Sequence, residues 1–472
     1  MPEPDPVAEA VNLLFRDVEV DGDRVDVRVR GTRVVDVGAG RRADHGEAVT
    51  VVEGRGGVLL PGLHDHHVHL LALAAAHDSV DCGPAVRDRS RLAAELRKAR
   101  GTWVRGTGYH ESVAGDLDRH ALDALMPDRP VRIQHRGGAL WMLNSAAIAL
   151  VSHVLDDSAD VERDARGEPT GRLWRYDSRL RPALPPPDLD LARLGRELAE
   201  HGITSVTDAT PDVDAGAVSL LAAAHAGGDL PQRITLLGAP TGTALPAGLT
   251  AGPRKLLLRD HALPTFDRLR DMIAETHRTG RAVAVHCVTS ESLTLTLAAV
   301  EDVGAIPGDR IEHASVVPPG LASWIAGLEV AVVTQPDFLR TRGDDYLREV
   351  DIAERPFLYP YRSLVTSGVR VAASSDAPYG ELDPWQVIRT AGRRTSTRGR
   401  VIGPEESVTT AAALAGYLSF PRDPGGRARR VRPGVHADLC LLHVPLAEAL
   451  RDPRSEHVRL AVIGGRLHRP PS

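Results

Sequence analysis

The sequence predicts an α/β protein: a (β/α)8 TIM barrel, a small β-sandwich built from both chain ends, and a long insertion after barrel strand one. Three observations predict it. Short apolar runs alternate with helical patterns through the centre of the chain. Strand-type alternation occupies both termini. Metal-ligand residue types stand at the C-terminal ends of the central runs.

The 472 residues are enough for a large core and more than one domain. A hydrophobic content of 42%, a charged content of 25% and a net charge of −6 fit a globular protein without the basic face of a nucleic-acid binder. No apolar run reaches membrane-spanning length, and the stretch 321–333 is broken by Ser323 and Glu329. The opening Met1-Pro2-Glu3-Pro4-Asp5-Pro6 lacks the basic start and apolar stretch of a secretory signal. Cys82, Cys287 and Cys440 are scattered and odd in number, a poor disulfide framework. The expectation is a cytoplasmic protein acting on a small molecule, with no nucleic-acid or membrane partner; base rates favour a homodimer.

At the N-terminus, Arg24-Val25-Asp26-Val27-Arg28-Val29 alternates, Gly31-Thr32 turns, and 33–37 returns as a hairpin. At the C-terminus, 437–442, 458–463 and 466–468 repeat the theme. Residues 1–57 with 400–472 are therefore read as the sandwich, and 58–399 as the barrel. The predicted barrel strands are 58–63, 203–208, 233–237, 255–258, 282–286, 310–313, 330–334 and 369–374, with helices such as 265–279 and 291–303 between them. Residues 80–200 exceed a simple crossover. They hold strand-like 103–106 and 131–135 and a proline-rich linker at 181–188, and are read as a cap over the barrel mouth.

Barrel active sites are built at the C-terminal strand ends, so the polar residues there matter most. The first run ends Leu63-His64-Asp65-His66-His67-Val68-His69. Residues two apart share one face of a strand, so His67 and His69 would aim both imidazoles at one point, as a metal pair requires. Alone, the pair also reads as histidines on a polar strand end, and His64 and His66, on the other face, are read that way. His286 ends strand five, His313 strand six and Asp376 strand eight. Only Lys98 and Lys255 among the 57 basic residues are lysines, and Lys255 sits in the buried-looking Arg254-Lys255-Leu256-Leu257-Leu258. A buried ammonium costs several kcal/mol unless paired or chemically changed. A primary amine can take up CO2 as a carbamate, which arginine cannot do.

With these residues, the chain resembles the amidohydrolase superfamily of metal-dependent hydrolases. The matching motifs are Pro61-Gly62-Leu63-His64-Asp65-His66-His67-Val68-His69-Leu70, Lys255, His286, His313, Ser375-Asp376-Ala377-Pro378 and Gly434-Val435-His436-Ala437-Asp438-Leu439. It most resembles the branch that includes N-substituted formamide deformylase, through Trp103–Tyr109, Leu143-Asn144-Ser145-Ala146-Ala147, Gly167–Gly171 and Gly202–Asp208. Many relatives carry a histidine shortly before the Asn-Ser pair; here the stretch is Gly137-Gly138-Ala139-Leu140-Trp141-Met142-Leu143, so substrate contacts do not transfer from it.

The resemblance implies two zinc ions, or another divalent metal. His67, His69 and Asp376 would hold one, His286 and His313 the other, and carboxylated Lys255 would bridge them. It further implies hydrolysis of a non-peptide C–N bond (amide, formamide, cyclic amide or carbamate) by a metal-bridging hydroxide, with Asp376 as general base and then acid. Tyr109, His110 and Glu111 are candidate substrate contacts from the insertion. Asp65 is expected to orient a ligand histidine. Trp141, Trp174 and Trp385 are read as packing, and Arg340 and Arg342 as loop arginines able to meet a substrate carboxylate. Two other readings stand beside this one. A mononuclear deaminase of the same superfamily would lack the bridging lysine and carry a glutamate soon after the strand-five histidine, whereas Cys287-Val288-Thr289-Ser290 separates Glu291 from His286. A non-catalytic scaffold would be expected to have lost ligands, and all six are present.

Overall fold

A computed structural model describes residues 12–40, 48–186 and 189–469; the proline-rich opening segment and part of the 181–188 linker lie outside the described residues. The chain forms two compact units, one of Met1–Leu70 with Leu191–Ser472 and one of Leu71–Asp190.

In the first unit both chain ends form four-stranded sheets. One has the spatial order Arg33–Gly38, Asp23–Arg30, Asn12–Val20, Thr50–Glu53, and the other Arg466–His468, Val458–Ile463, Leu439–Leu442, Leu59–Pro61. Phe15, Val27 and Val52 of the first share one core with Leu439, Leu441 and Leu460 of the second. The inward residues alternate with outward ones, as two packed sheets require.

Parallel strands make two further sheets. Leu249–Ala251, Arg233–Leu236, Ile203–Asp208 and Leu63–Val68 form one; Arg254–Leu257, Val283–Cys287, Arg310–His313, Ala331–Thr334 and Val371–Ala373 form the other. The two sheets meet at strand ends, where Lys255 N donates to Leu237 O (3.2 Å), just past Arg233–Leu236, and Asp376 N donates to His67 O (2.8 Å). The parallel ladder is thus interrupted at two places rather than continuous. The short strand Leu249–Ala251, with no apolar run to mark it, was not expected.

The predicted run 58–63 is two strands. Leu59–Pro61 pairs with Leu439–Leu442, whereas Leu63–Val68 pairs with Ile203–Asp208. Pro61 has no N–H to offer a ladder. The next two amides diverge: Gly62 N donates to Asp438 O (2.8 Å) and Leu63 N to Gly202 O (2.9 Å). A Cβ at Gly62 would fall 2.1 Å from Thr204 Cγ2, so this close approach needs glycine.

The second unit is a mixed six-stranded sheet with the order Val161–Arg163, Pro169–Trp174, Leu140–Leu143, Val131–His135, Val104–Tyr109, Val80–Asp81. It begins earlier and ends earlier than the predicted 80–200, because helix Leu191–Glu200 belongs with the first unit. Asn144, in the Asn-Ser motif, is fully buried. Its Oδ1 accepts from Val131 N and Ala147 N, and its Nδ2 donates to Met126 O and Arg129 O. The motif is therefore a helix cap and strand staple. Among the described residues, no helix is long and apolar enough to cross a membrane.

Phe15 is fully buried between the terminal sheets, while Phe420 is 49% exposed. Phe15→Ala is expected to lower the unfolding free energy by about 3–5 kcal/mol and Phe420→Ala by under about 1 kcal/mol, measured by urea unfolding.

Candidate metal centre

The ends of the parallel strands bring six side chains of the first unit together. His67 is the last residue but one of Leu63–Val68 and His69 follows the strand, with ring centroids 5.4 Å apart. Asp376 Oδ1 lies 3.2 Å from His69 Nε2 and 3.5 Å from His67 Nε2. Lys255 Nζ lies 3.5 Å from His67 Nε2. The rings of His67 and His313 are 4.9 Å apart, and those of His313 and His286 4.4 Å apart. His67, His313 and Asp376 each offer a ligand atom within 4.8 Å of the others.

Backbone geometry positions these groups. His313 and Asp376 both occupy left-handed conformations, with φ of 72° and 53°. That region is unfavourable for residues with a Cβ and is held only where the surroundings over-determine it. At Asp376, the backbone N donates to His67 O, and its carbonyl accepts from Tyr379 N and Gly380 N. Asp65 Oδ1 accepts from His67 N (3.1 Å) and Ser375 N (3.2 Å). Asp65 thus ties the two strand ends together through their backbones rather than orienting an imidazole.

Burial sets the charge states. It lowers the His67 pKa to about 3, with the Lys255 charge adding to the effect, and it lowers His313 as well. These imidazoles are neutral near pH 7, the form that ligates metal. Burial pushes Asp376 up, but His67, His69 and His313 outweigh it and hold the carboxyl well below the usual range. Burial lowers Lys255 against the opposing pull of Glu312 and Asp376. Neutral imidazoles around a carboxylate with a buried Oδ1 that makes no well-directed hydrogen bond are a donor set that fits a divalent ion.

Two partners of these histidines had no place in the sequence reading. Gln335 Oε1 is 2.7 Å from His313 Nδ1 and Gln335 Nε2 donates to Ser374 Oγ (3.0 Å). Glu312, fully buried, accepts a very short hydrogen bond from His67 Nδ1. The available signal was Arg310-Ile311-Glu312, opposite charges two apart on one strand face.

His64 and His66 are not a polar strand end, since both are fully buried. His64 lies between Ser205 Oγ (2.8 Å) and Thr207 Oγ1 (2.9 Å), and His66 Nε2 contacts Gly416 O (3.1 Å) and Ser419 Oγ (3.0 Å). Arg340 pairs with Asp337 and Glu381, and Arg342 donates to Tyr379 O. Trp385 is buried, with Nε1 donating to His201 O.

Tyr109, His110 and Glu111 belong to the second unit. Tyr109 is buried and its hydroxyl donates to Gly115 O (2.5 Å). His110 caps helix Glu111–Ala114, its Nδ1 accepting from Ser112 N. Glu111 contacts His135 Nε2 at 3.3 Å, and that contact lowers its pKa to about 2.

A model of the amidohydrolase family matches residues 50–468. The chain belongs to the amidohydrolase family. N-substituted formamide deformylase of Arthrobacter pascens is 27% identical over 501 residues, covering 92% of this chain and 91% of that protein. Protein LONG AFTER FAR-RED 3 of Arabidopsis thaliana is 25% identical, covering 93% and 87%. An uncharacterized metal-dependent hydrolase from Pyrococcus horikoshii superposes with a TM-score of 0.72 at 20% identity, covering 97% of this chain and 100% of that one. This member of the amidohydrolase family therefore has a (β/α)8-type α/β fold.

Burial also dictates a pH response. It holds His64 well below its ordinary pKa and His66 and His67 at about 3. Unfolded histidines bind protons below about pH 6.5 while these do not, so folding loses up to about 1.4 kcal/mol per histidine per pH unit between 6.5 and 3. Asp65, raised to about 6 by burial, opposes this as a single group. The metal-free protein is expected to lose stability steadily from pH 7 to 4.5 in urea unfolding, and His66→Gln should flatten the slope. A profile flat in the parent protein would contradict the buried neutral histidines.

Proposed function

We infer that the chain hydrolyses a non-peptide C–N bond of a small amide-type substrate, with N-substituted formamides the first class to test. The observation that carries the reading is the convergence of His67, His69, Lys255, His286, His313 and Asp376, with Lys255 lying against His67. The formamide class is suggested by the match to the Arthrobacter deformylase along 92% of this chain.

His67, His69 and Asp376 would hold one divalent ion and His286 and His313 a second, with zinc the best fit to imidazole-rich ligation. Lys255 would bridge as its carbamate. Its lowered pKa supports this, because only the neutral amine attacks CO2, losing one proton as the N–C bond forms. Bound metal would supply Lewis acidity toward a carbonyl oxygen and toward water. Asp376, held ionised by the surrounding histidines, would take the proton from the attacking water and deliver it to the nitrogen as the C–N bond breaks. The buried strand ends would restrict solvent around these groups.

Protein purified without chelator should contain two metal equivalents per chain, and Lys255→Ala should contain one or none, by elemental analysis. Formate release from N-substituted formamides should be detectable and should fall at least about 100-fold in Asp376→Asn with metal retained. One equivalent in the parent protein would favour the mononuclear deaminase, and ammonia release would then replace formate as the product to follow.

A further inference from the structure

Arg310 and Glu312 form a buried ion pair: Arg310 is 1% exposed and Glu312 0%. Arg310 Nε donates to Glu312 Oε1 at 2.5 Å, and its Nη2 donates to His66 O at 3.1 Å. The other carboxylate oxygen, Oε2, takes the very short contact from His67 Nδ1. Replacing one partner of such a pair is costly, and a buried pair often adds little net stability over an apolar one, so specificity is the better reason to look for.

We propose that Glu312, clamped by Arg310, is the positioning residue that keeps the His67 proton on Nδ1 and its Nε2 lone pair turned toward the metal centre. The inference rests on the metal-centre reading given above. Three contacts carry it. A carboxylate can only accept, so Oε2 requires a proton on Nδ1. Lys255 Nζ lies 3.5 Å from Nε2 and can donate to that nitrogen when it carries no proton. Asp376 Oδ1, an acceptor, stands 3.5 Å from the same nitrogen, the separation of two lone-pair atoms around a shared cation rather than of a hydrogen bond.

The clamp makes the choice of glutamate strict. Guanidinium has five donors and no acceptor. In Glu312→Gln the amide oxygen must therefore face Arg310, which turns the amide NH2 toward His67. Nδ1 then has to accept, the proton moves to Nε2, and the metal-facing nitrogen is blocked. A glutamine, almost the same size as glutamate, reverses the tautomer through the fixed orientation of its neighbour. Removing that neighbour should undo the reversal: with Arg310→Met as well, the amide is free to turn its oxygen to His67.

The test is zinc affinity, measured by competition with a chromophoric chelator on the full-length protein. Glu312→Gln is expected to bind zinc about 10–100-fold more weakly. The double variant R310M/E312Q is expected to recover part of that loss, although it lacks more of the native network. Parent-like affinity in Glu312→Gln, or a double variant as weak as the single one, would overturn the proposal. A second measurement is independent of how those variants fold. In metal-free parent protein labelled with 15N-histidine, the His67 signal, identified by its loss in His67→Asn, should show Nδ1 protonated and Nε2 bare; the opposite tautomer overturns the proposal. Absence of zinc binding by the parent protein would count against the metal-centre reading alone, and the tautomer measurement would still decide the role of Glu312.

Discussion

Removing ionisable groups from water without leaving them charged and unpaired is the constraint on which this architecture depends. Three of the histidines on one strand and His313 on another are buried and held neutral by that burial. Neutral imidazole keeps a lone pair, so desolvation and ligand chemistry act in the same direction. The charges that remain, on Asp376, Glu312 and Arg310, are each surrounded by hydrogen-bonding partners or rings. The site is thus held ready for a cation by groups that could not be accommodated in an apolar core.

The left-handed backbones at His313 and Asp376 belong to the same economy. His313 is the last residue of Arg310–His313, and Asp376 stands three residues past Val371–Ala373. The unfavourable conformations are stabilised by amide contacts to neighbouring strand ends, notably Asp376 N to His67 O. Asp65 reinforces the junction by accepting from amides of both strands.

Much of this was legible in the sequence. The spacing of His67 and His69, the rarity of lysine around Lys255, and the histidines and aspartate closing later runs marked the groups that the fold brings together. The terminal hairpin and the strands at 131–135 and 458–463 were also readable, because period-two apolar patterns mark them. What stayed hidden depended on partners distant in sequence. His64 and His66 look like a polar strand end until Ser205, Thr207 and Ser419 are seen to satisfy them. Glu312 looks like an ordinary strand residue until Arg310 and His67 are found on its two oxygens. The division at Pro61-Gly62 was hidden because both halves of the run are apolar, and only hydrogen-bond direction separates them.

That division gives the terminal sheets a role in phasing. Gly62 and Leu63 send consecutive amides into different sheets, so the C-terminal strands fix where the histidine-bearing strand starts. A strand shifted by one residue exchanges its two faces. Here such a slip would put His66 and Val68, or Val68 and Leu70, in the places where His67 and His69 now face the centre. The amidohydrolase core of this chain is therefore not a cassette to be transplanted without its ends: any chimera has to carry the Gly62–Asp438 contact with it to keep the correct pair of imidazoles in frame.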